Sequence, residues 1–370
     1  THEIEVSNEG DDVLVISGAG VTTQAFSAVL PPDGISIAPE QSEVLPLKFH
    51  PPQAGETFED VLTISSNYPE NHLVQISGQG MPEPGRYVFG EVSGAWTADP
   101  DNPEDFIVLD SVLVPAHNSL SIGPGVRILF EPGGKFISEG TIRAIGTVTD
   151  SIYFLPRNSD GSDEARWQGI EIAFEDDSRL AFCVVRSTND GLMIRESSPL
   201  IQFCTISNNG NESVLDLEEG ETFVNDGGGI SLENSGARIS GCIIEDNIGS
   251  FGGGILVLNS KPTITNCIIR NNRSVAGGAM GLVFQASALI RSNIIYGNQA
   301  ELMCGGISVI NQSAPQILNN TIVGNTGCGI YAASTSIPIL VNSIVWNNEA
   351  VHDEFNNSVE ISDDANALIS

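Results

Sequence analysis

The chain has 370 residues, of which 15 are Lys or Arg and 47 are Asp or Glu, so its formal net charge is −32. A surface this acidic repels nucleic acid and anionic membrane, and no stretch approaches the roughly 18 apolar residues of a membrane span. We therefore expect no nucleic-acid partner and no membrane insertion, and the short alternating apolar runs broken by Gly, Asn and Pro predict an all-β protein.

The first predicted region covers residues 1–82 and ends in a Pro/Gly linker, GQGMPEPG (78–85). Its segments IEVSNEGDDVLVISG and EVLPLKFHPPQAGETFEDVLTISSNYPENHLVQISGQG alternate as strands of a sandwich do. This region resembles the Ig-like modules of the ASPM/SPD-2/Hydin family at Asn8-Glu9-Gly10, Phe49-His50-Pro51, Gly55, Ser65-Ser66-Asn67 and Gly78-Gln79-Gly80. The resemblance implies an Ig-like β-sandwich that binds a partner or acts as a spacer, and we expect the family's first strand to be missing from it.

Neither end of the chain coincides with the end of a predicted element. Thr1 stands inside an apparent strand and Ser370 stands in the middle of a repeat. We expect a fragment of a longer protein, whose ends suit a chain that continues, a chain that pairs with a neighbour, or arbitrary boundaries.

A repeat of about 25 residues fills most of the second region, residues 86–370. Its anchor column consists of Cys183, Cys204, Cys242, Cys267, Asn293, Asn320 and Asn342. An aliphatic residue stands three positions before and two positions after each anchor, as Ile339 and Ile344 do around the last one. Five residues after the anchors, an asparagine column contains Asn209, Asn247, Asn272, Asn298, Asn325 and Asn347, and Thr188 breaks it in the first copy.

A 25-residue unit with short strands and no helix cannot bury its own apolar face, but it can do so against copies of itself. Stacked strands then place identical side chains in ladders. The asparagine column fits a tight turn, because Asn tolerates positive φ and its amide can bond to the next rung. The pattern predicts a parallel β-helix, a solenoid.

Three stretches resemble the right-handed parallel β-helix of the pectate-lyase-like superfamily, in particular bacterial surface proteins. They are the GGGI-type coils, LSIGPGVRILFEPGGKFISEGTIRAIGTVTDSIYF (120–154) and the segment Trp167-Gln168-Gly169-Ile170. GEVSGAWTADPDNPEDFIVLDSVLVP (90–115) is similar to a first strand and cap, so we place an N-terminal cap at 86–119. The resemblance implies the fold of residues 86–370, which carries lyases, hydrolases, adhesins and scaffolds alike.

The six cysteines favour buried free thiols. Four of them, Cys183, Cys204, Cys242 and Cys267, share one interior column as small hydrophobic residues would. A disulfide between neighbouring rungs is the alternative, although parallel Cβ directions make its geometry poor. No Cys/His spacing indicates zinc.

The outward positions of the first strand of each coil form an apolar strip rather than an acidic cleft. An exposed strip of this length indicates either a contact surface or a face covered by a loop, and scattered surface hydrophobes are the plain alternative. The candidates for a contact surface are Met193, Leu256, Leu258, Val283, Ile310 and Tyr331.

Two acidic loops are candidate ligand sites. The loop 157–167 could hold a Ca²⁺ ion with the oxygen ligands of Asn158, Asp160, Asp163 and Glu164. The insertion 210–226 could bind calcium or another ligand, or be only a solvated acidic loop, through Glu212, Asp216, Glu218, Glu219, Glu221 and Asp226.

These patterns predict an extracellular structural or adhesive protein, secreted or at a bacterial cell surface. Its rigid β-helix would contact a surface protein, other copies of itself or a polysaccharide. The alternatives are a carbohydrate-active enzyme, either a polysaccharide lyase or a glycoside hydrolase, and a subunit of an extracellular filament. An enzyme should bring three carboxylates and a basic residue together in one groove; no catalytic residue can be named from the sequence, and the dispersed histidines make a Ser/His/Asp triad improbable.

Overall fold

The computed structural model describes residues 2–23, 25–28, 30–31, 34–49, 57–69, 71–79, 86–98, 106–157, 165–215, 227–348, 359–361 and 368–369. The chain divides into two compact units, Thr1–Tyr87 and Val88–Ser370. Strands dominate both units, and the part of the chain that the structure describes contains one short 3-10 helix, Glu212–Leu215.

The first unit consists of two antiparallel sheets that share a core. One sheet has the strand order His2–Ser7, Ser42–Phe49 and Phe26–Ala28. The other has the order Ile35–Ile37, Leu14–Gly20, Thr57–Ser66 and His72–Gln79. Leu45 of the first sheet packs in one buried cluster with Ile16 and Leu62 of the second, as in a β-sandwich. The Ig-like assignment of this sandwich stays a prediction.

The second unit is a stack of coils whose strands form three parallel sheets, named here A, B and C. Sheet A contains the end of Phe106–Val114 and then Lys135–Ser138, Gly169–Ala173, Leu192–Arg195, Ile230–Glu233, Ile255–Leu258, Met280–Val283, Ile307–Val309, Ile330–Ala332 and Val359–Ile361. Sheet B contains Gly94–Trp96, Ser119–Ile122, Thr141–Ile145, Arg179–Ala181, Leu200–Gln202, Arg238–Ser240, Thr263–Thr265, Leu289–Arg291, Gln316–Leu318, Ile339–Val341 and Leu368–Ile369.

Sheet C completes each coil. It contains the start of Phe106–Val114 and then Arg127–Phe130, Ile152–Pro156, Cys183–Arg186, Thr205–Ser207, Ile243–Glu245, Ile268–Arg270, Ile294–Tyr296, Thr321–Val323 and Ile344–Trp346. The strand Arg86–Glu91 belongs to the same hydrogen-bonded set of strands as sheets A and C. Outside the three sheets lies a short parallel stack, the flap, formed by Ile248–Phe251, Arg273–Ala276 and Gln299–Ala300.

In each coil all three sheets send aliphatic side chains inward. In one coil these residues are Ile255, Ile264 and Ile269, all of which are fully buried in a single core. Near the start of the stack the core is aromatic, and the rings of Phe130 and Trp167 stack with centroids 3.8 Å apart. The prediction of an all-β chain containing a parallel β-helix is confirmed.

The asparagine column forms a continuous buried ladder. Asn247 Nδ2 donates to Asn272 Oδ1, and Asn272 Nδ2 donates to Asn298 Oδ1, each at 2.9 Å. Asn272 Nδ2 also donates to the carbonyl of Ile244 at 3.0 Å. Thr188 stands at the first rung, where its hydroxyl donates to Asn209 Oδ1 at 2.9 Å. These hydrogen bonds satisfy the buried amide groups, and the ladder needs no charged side chain.

In the last coil, two predicted positions are wrong by one residue. Ser343 Oγ, not Asn342, accepts from the backbone N–H of Asn320 at 3.1 Å, and Asn348 Oδ1 accepts from Asn325 Nδ2 at 2.9 Å. Asn347 is therefore not a ladder member; it lies exposed in the turn with φ 53°. The alignment of the repeats matched asparagine with asparagine. In the structure, the ladder positions of the last coil are occupied by Ser343 and Asn348.

All six cysteines are free and buried. In the next coil an asparagine takes the place of the cysteine, and the backbone N–H of Cys267 donates to Asn293 Oδ1 at 2.9 Å. Burial raises the pKa of the Cys204 thiol well above its usual range, so that this thiol stays protonated. Cys304 Sγ donates to the carbonyl of Cys328 at 2.7 Å.

Candidate functional site

The predicted apolar strip on sheet A is covered in its middle by the chain itself. Leu256 and Val283 are each only 2% exposed and pack in one cluster with Phe251 and Ala276 of the flap. A Cβ atom on Gly281 would overlap the ring of Phe251, so the flap lies directly on this strand. Leu256 and Val283 therefore offer no contact surface to a partner.

The other four candidates lie around this covered centre. Leu258 and Ile310 are half-buried against the flap cluster. Met193 and Tyr331 are half-buried towards the two ends of the strip. The sequence offered a covering loop as one interpretation of this strip but did not identify the residues that cover it, because the flap strands come from the irregular segments between the sheet C and sheet A strands.

Ion pairs fasten the flap to the start of the acidic insertion. Arg273 contacts Glu212 at 3.2 Å and Glu301 at 3.6 Å. Of the predicted acidic-loop residues, Asp216, Glu218, Glu219, Glu221 and Asp226 lie outside the described residues. The calcium candidates also lie outside them: Asn158, Asp160, Asp163 and Glu164. Among the residues that the structure describes, no group of three or more His, Cys, Asp or Glu side chains is placed to hold a metal ion.

Next to the flap, the outer face of sheet A carries a chain of alternating charges. Lys135 Nζ lies 2.6 Å from Glu171 Oε2, and Arg195 lies 3.3 Å from Glu171 Oε1. Arg195 Nε in turn lies 3.3 Å from Glu233 Oε2. The four side chains come from four successive strands of the sheet, so that the stacking of coils alone brings them together.

A third carboxyl group, that of Asp190, lies beside this chain of charges. Burial raises the pKa of Asp190 and the carboxylate of Glu171 adds to the rise, although the cations Lys135 and Arg195 oppose it. The net shift is upward, so this carboxyl holds its proton to higher pH than an ordinary aspartate. A carboxyl tuned in this direction can act as a general acid.

The sequence analysis interpreted the outward positions of sheet A as an apolar strip and missed Lys135 and Asp190. The signal was present, because both residues stand in columns that later coils fill with glycine. Lys135 pairs in register with Gly169, and Asp190 stands two residues before Leu192, where the next coil has Gly228 before Ile230. A charged residue in a glycine column is a departure from the repeat.

A long open groove of about 840 Å³ runs beside the charged chain, along the turns that follow the sheet A strands. Its walls are mostly amide and hydroxyl side chains. The lining residues are Glu233, Asn234, Leu258, Asn259, Phe284, Gln285, Asn311, Gln312, Ser334 and Thr335. A small hollow of about 40 Å³, lined in part by Met193, Arg195, Glu233 and Leu258, adjoins it.

The groove residues repeat from coil to coil and partly bond to each other. Asn259 Nδ2 donates to Asn234 Oδ1 at 2.7 Å, and Gln285 Nε2 donates to Gln312 Oε1 at 3.4 Å. Phe284 is 49% exposed and takes a φ of 52°, which is uncommon for a bulky residue. The sequence signal was an Asn or Phe directly after each of several sheet A strands, and it was overlooked.

Comparison with known proteins gives one family match and two similar solved structures. Residues 219–370 match the family model described as "Right handed beta helix region", and no curated protein matches the sequence. A mutant of the periplasmic alginate epimerase AlgG is similar over 76% of each chain, at 11% identity and a TM-score of 0.30. A second structure of this epimerase is similar over 80% of this chain and 85% of that one, at 10% identity and a TM-score of 0.26.

Structural similarity at TM-scores of 0.30 and 0.26 does not indicate an activity. No helix in the described part of the chain is long and apolar enough to cross a membrane. The family match agrees with the stacked parallel sheets and the ladders, and residues 219–370 have the fold of a right-handed β-helix.

Proposed function

We propose that the protein is an extracellular structural or adhesive surface protein whose rigid β-helix contacts a glycan along the groove beside sheet A. One observation carries the proposal: amide side chains recur in this groove from coil to coil around an exposed aromatic ring. A secreted or bacterial cell-surface location is part of the same proposal.

The chemistry of the groove suits a neutral, hydroxyl-rich ligand. Each Asn or Gln amide can donate and accept hydrogen bonds, as sugar hydroxyls require. Phe284 offers its half-exposed ring to the apolar face of a sugar. Glu233 is the one carboxylate among the lining residues, and it is in contact with Arg195. An acidic ligand would therefore find no cation along the amide wall.

The stacking of coils also sets the spacing of the contacts. Successive rungs lie about 4.8 Å apart, so that equivalent amides form a regular row rather than a closed pocket. A row of this kind favours a linear chain of sugars over a single small molecule. Rigid placement of the row keeps the loss of side-chain freedom on binding small.

The test measures binding of the full chain to soluble neutral polysaccharides, such as glucan, xylan and mannan, by affinity electrophoresis and calorimetry. Phe284→Ala should weaken binding about tenfold, or about 1.4 kcal/mol. Phe174→Ala is a matched control, because Phe174 is 65% exposed with φ 62° after an earlier sheet A strand but lies outside the groove. Equal binding by wild type and Phe284→Ala would overturn the proposal.

A carbohydrate-active enzyme is the second candidate, favoured by Glu171, Asp190 and Glu233 together with Lys135 and Arg195. In this function Asp190, whose pKa is raised, would donate the proton to the leaving oxygen of a glycosidic bond. Incubation with the same polysaccharides, with product release read by reducing ends and by ultraviolet absorbance, tests it. Release that Asp190→Asn abolishes would establish the enzyme, and binding without release would exclude it for those substrates.

A further inference from the structure

The outer face of sheet B differs in charge from the rest of the molecule. From the strand Thr141–Ile145 to the strand Ile339–Val341, no outward position carries Asp or Glu, although the whole chain has 47 acidic residues. The same positions carry four of the 15 basic residues, all of them exposed: Arg143, Arg179, Arg238 and Arg291. A strongly acidic protein thus has one cationic face.

These arginines are not engaged in ion pairs. Within the described residues, none of the four lies within salt-bridge distance of a carboxylate, whereas Lys135, Arg195, Arg270 and Arg273 each do. Arg179 Nη2 donates instead to Gln202 Oε1 at 2.9 Å. These four guanidinium groups therefore do not stabilise the fold through ion pairs.

Their arrangement along the stack is also unfavourable without a ligand. Arg143 and Arg179 are direct partners on neighbouring strands, about 4.8 Å apart at the backbone. Like charges directly opposite each other in a sheet are destabilising. Arg238 follows in the same column two strands later. An anion that bridges the arginines would remove this repulsion.

An aromatic platform borders the same face. The rings of Phe182 and Phe203 stack with centroids 5.0 Å apart, and Phe203 is 54% exposed. The ring of Phe203 lies so close to Gly241 that a Cβ there would overlap it. Next to it, Gln202 Nε2 donates to Ser240 Oγ at 3.3 Å. Cations, an amide, a hydroxyl and an exposed ring therefore occur together.

The turn before Arg179 contains Glu175, Asp176 and Asp177, and two of their carboxylates accept backbone hydrogen bonds. Glu175 Oε1 accepts from the backbone N–H of Asp177 at 3.1 Å, and Asp176 Oδ1 accepts from the backbone N–H of Ser198 at 2.6 Å. Both carboxylates serve the turn rather than the sheet. The negative field of the remaining chain is screened beyond about 8 Å at physiological salt, so local recognition of an anion stays possible.

We propose that the outer face of sheet B is a docking surface for an acidic glycan chain, distinct from the groove beside sheet A. Guanidinium forks bind carboxylate or sulfate groups in a bidentate manner. The exposed ring of Phe203 packs on an apolar sugar face, and Gln202 and Ser240 bond to hydroxyls. A glycan fits better than an acidic peptide, because its rings and hydroxyls use all three kinds of group.

The experiment measures binding of the full chain to heparin, to polygalacturonate and to polyglutamate at low and high salt. The double variant Arg143→Gln/Arg179→Gln should lose about tenfold in affinity for at least one acidic glycan, and binding should weaken as salt rises. Phe203→Ala should also weaken binding, by about threefold to tenfold. Heparin and polygalacturonate distinguish sulfate from carboxylate as the recognised group.

Two control variants separate this proposal from the groove and from charge alone. Arg270→Gln removes an arginine that is already paired with Glu245 on sheet C, and Phe284→Ala alters the groove; neither should change binding of acidic glycans. All variants should keep a single cooperative thermal unfolding transition close to that of the wild type. The proposal is overturned if neither acidic glycan binds at low salt, if the double variant binds equally well, or if polyglutamate binds as tightly.

Discussion

The outer faces of sheets A and B belong to the same coils, but they differ in whether their cations are paired with carboxylates and whether their apolar side chains are covered. On sheet A, Lys135 and Arg195 each contact a carboxylate, and the flap buries Leu256. On sheet B, Arg179 has no carboxylate within salt-bridge distance among the described residues, and Phe203 is 54% exposed.

The difference separates side chains that stabilise the fold from side chains that are available to a partner. A paired cation or a covered leucine on sheet A contributes to folding and offers little surface. The unpaired arginines of sheet B contribute no ion-pair energy, and their mutual repulsion is a small cost. A change on sheet A should therefore reduce stability, and a comparable change on sheet B should not.

The largest expected effect is that of Leu256→Ala. Removing this side chain leaves a cavity between the sheet A strand and Phe251 of the flap, which should lower the free energy of unfolding by about 2–5 kcal/mol. The matched sheet B variant Thr265→Ala should change it by no more than about 0.5 kcal/mol. Thermal and urea unfolding of both variants measure the contrast, and similar losses would contradict the assignment of the flap as a structural cover.

A smaller effect is expected for Glu171→Gln, which removes the partner of both Lys135 and Arg195. The side chain of Lys135 is 24% exposed and that of Glu171 17% exposed, so solvent screens the pair in part. The free energy of unfolding should fall by about 1 kcal/mol, and the loss should shrink at high salt. A loss that is independent of salt would show that Glu171 acts by packing rather than by charge.

The interior of the β-helix was largely predictable from the sequence because burial acts on every coil alike. Ile264 and Ile290, for example, are register partners exactly one coil apart, as their column in the sequence indicated. The prediction failed in the last coil, where Leu340 and Ser343 replace the expected Ile339 and Asn342. The backbone of the coil fixes where each core and ladder position lies, and several residue types can occupy the same position.

The candidate site was much less predictable, since it consists of departures from the repeat. Lys135 and Asp190 stand in columns that later coils fill with glycine, but this departure was overlooked because the early coils share few residue types with the later ones. The flap strand that carries Phe251 has no counterpart in most coils, and its packing on Leu256 is a long-range contact. The aligned columns of the sequence reveal the residues that repeat from coil to coil. They do not reveal contacts between a coil and an added segment such as the flap.

The proton affinity of Asp190 gives a further test of the charged chain on sheet A. The carboxyl pKa, followed by carbon NMR, should lie above the ordinary aspartate value of about 3.9. Lys135→Met should raise it further and Glu171→Gln should lower it, because the cation opposes and the carboxylate supports the shift.

The sign of the linked stability follows from that direction. A carboxyl with a raised pKa in the folded state favours folding while it is protonated, and this contribution is lost as the pH rises through the folded pKa. Asp190→Asn should therefore remove a small decline of stability above the ordinary aspartate range. An unchanged pH profile in this variant would place Asp190 outside the coupled group.

The smallest effect on stability is expected for Arg179→Gln, and its sign distinguishes the two faces. If Arg143 and Arg179 repel each other as neighbours on sheet B, loss of one charge should leave stability unchanged or raise it by a few tenths of a kcal/mol. That gain should disappear at high salt, where screening already weakens the repulsion. Arg270→Gln should have the opposite sign, because Arg270 is paired with Glu245. Unfolding of both variants at low and at high salt measures the difference; a clear loss for Arg179→Gln would mean that this guanidinium has a structural partner after all, and that the cationic face is not free to receive an anion.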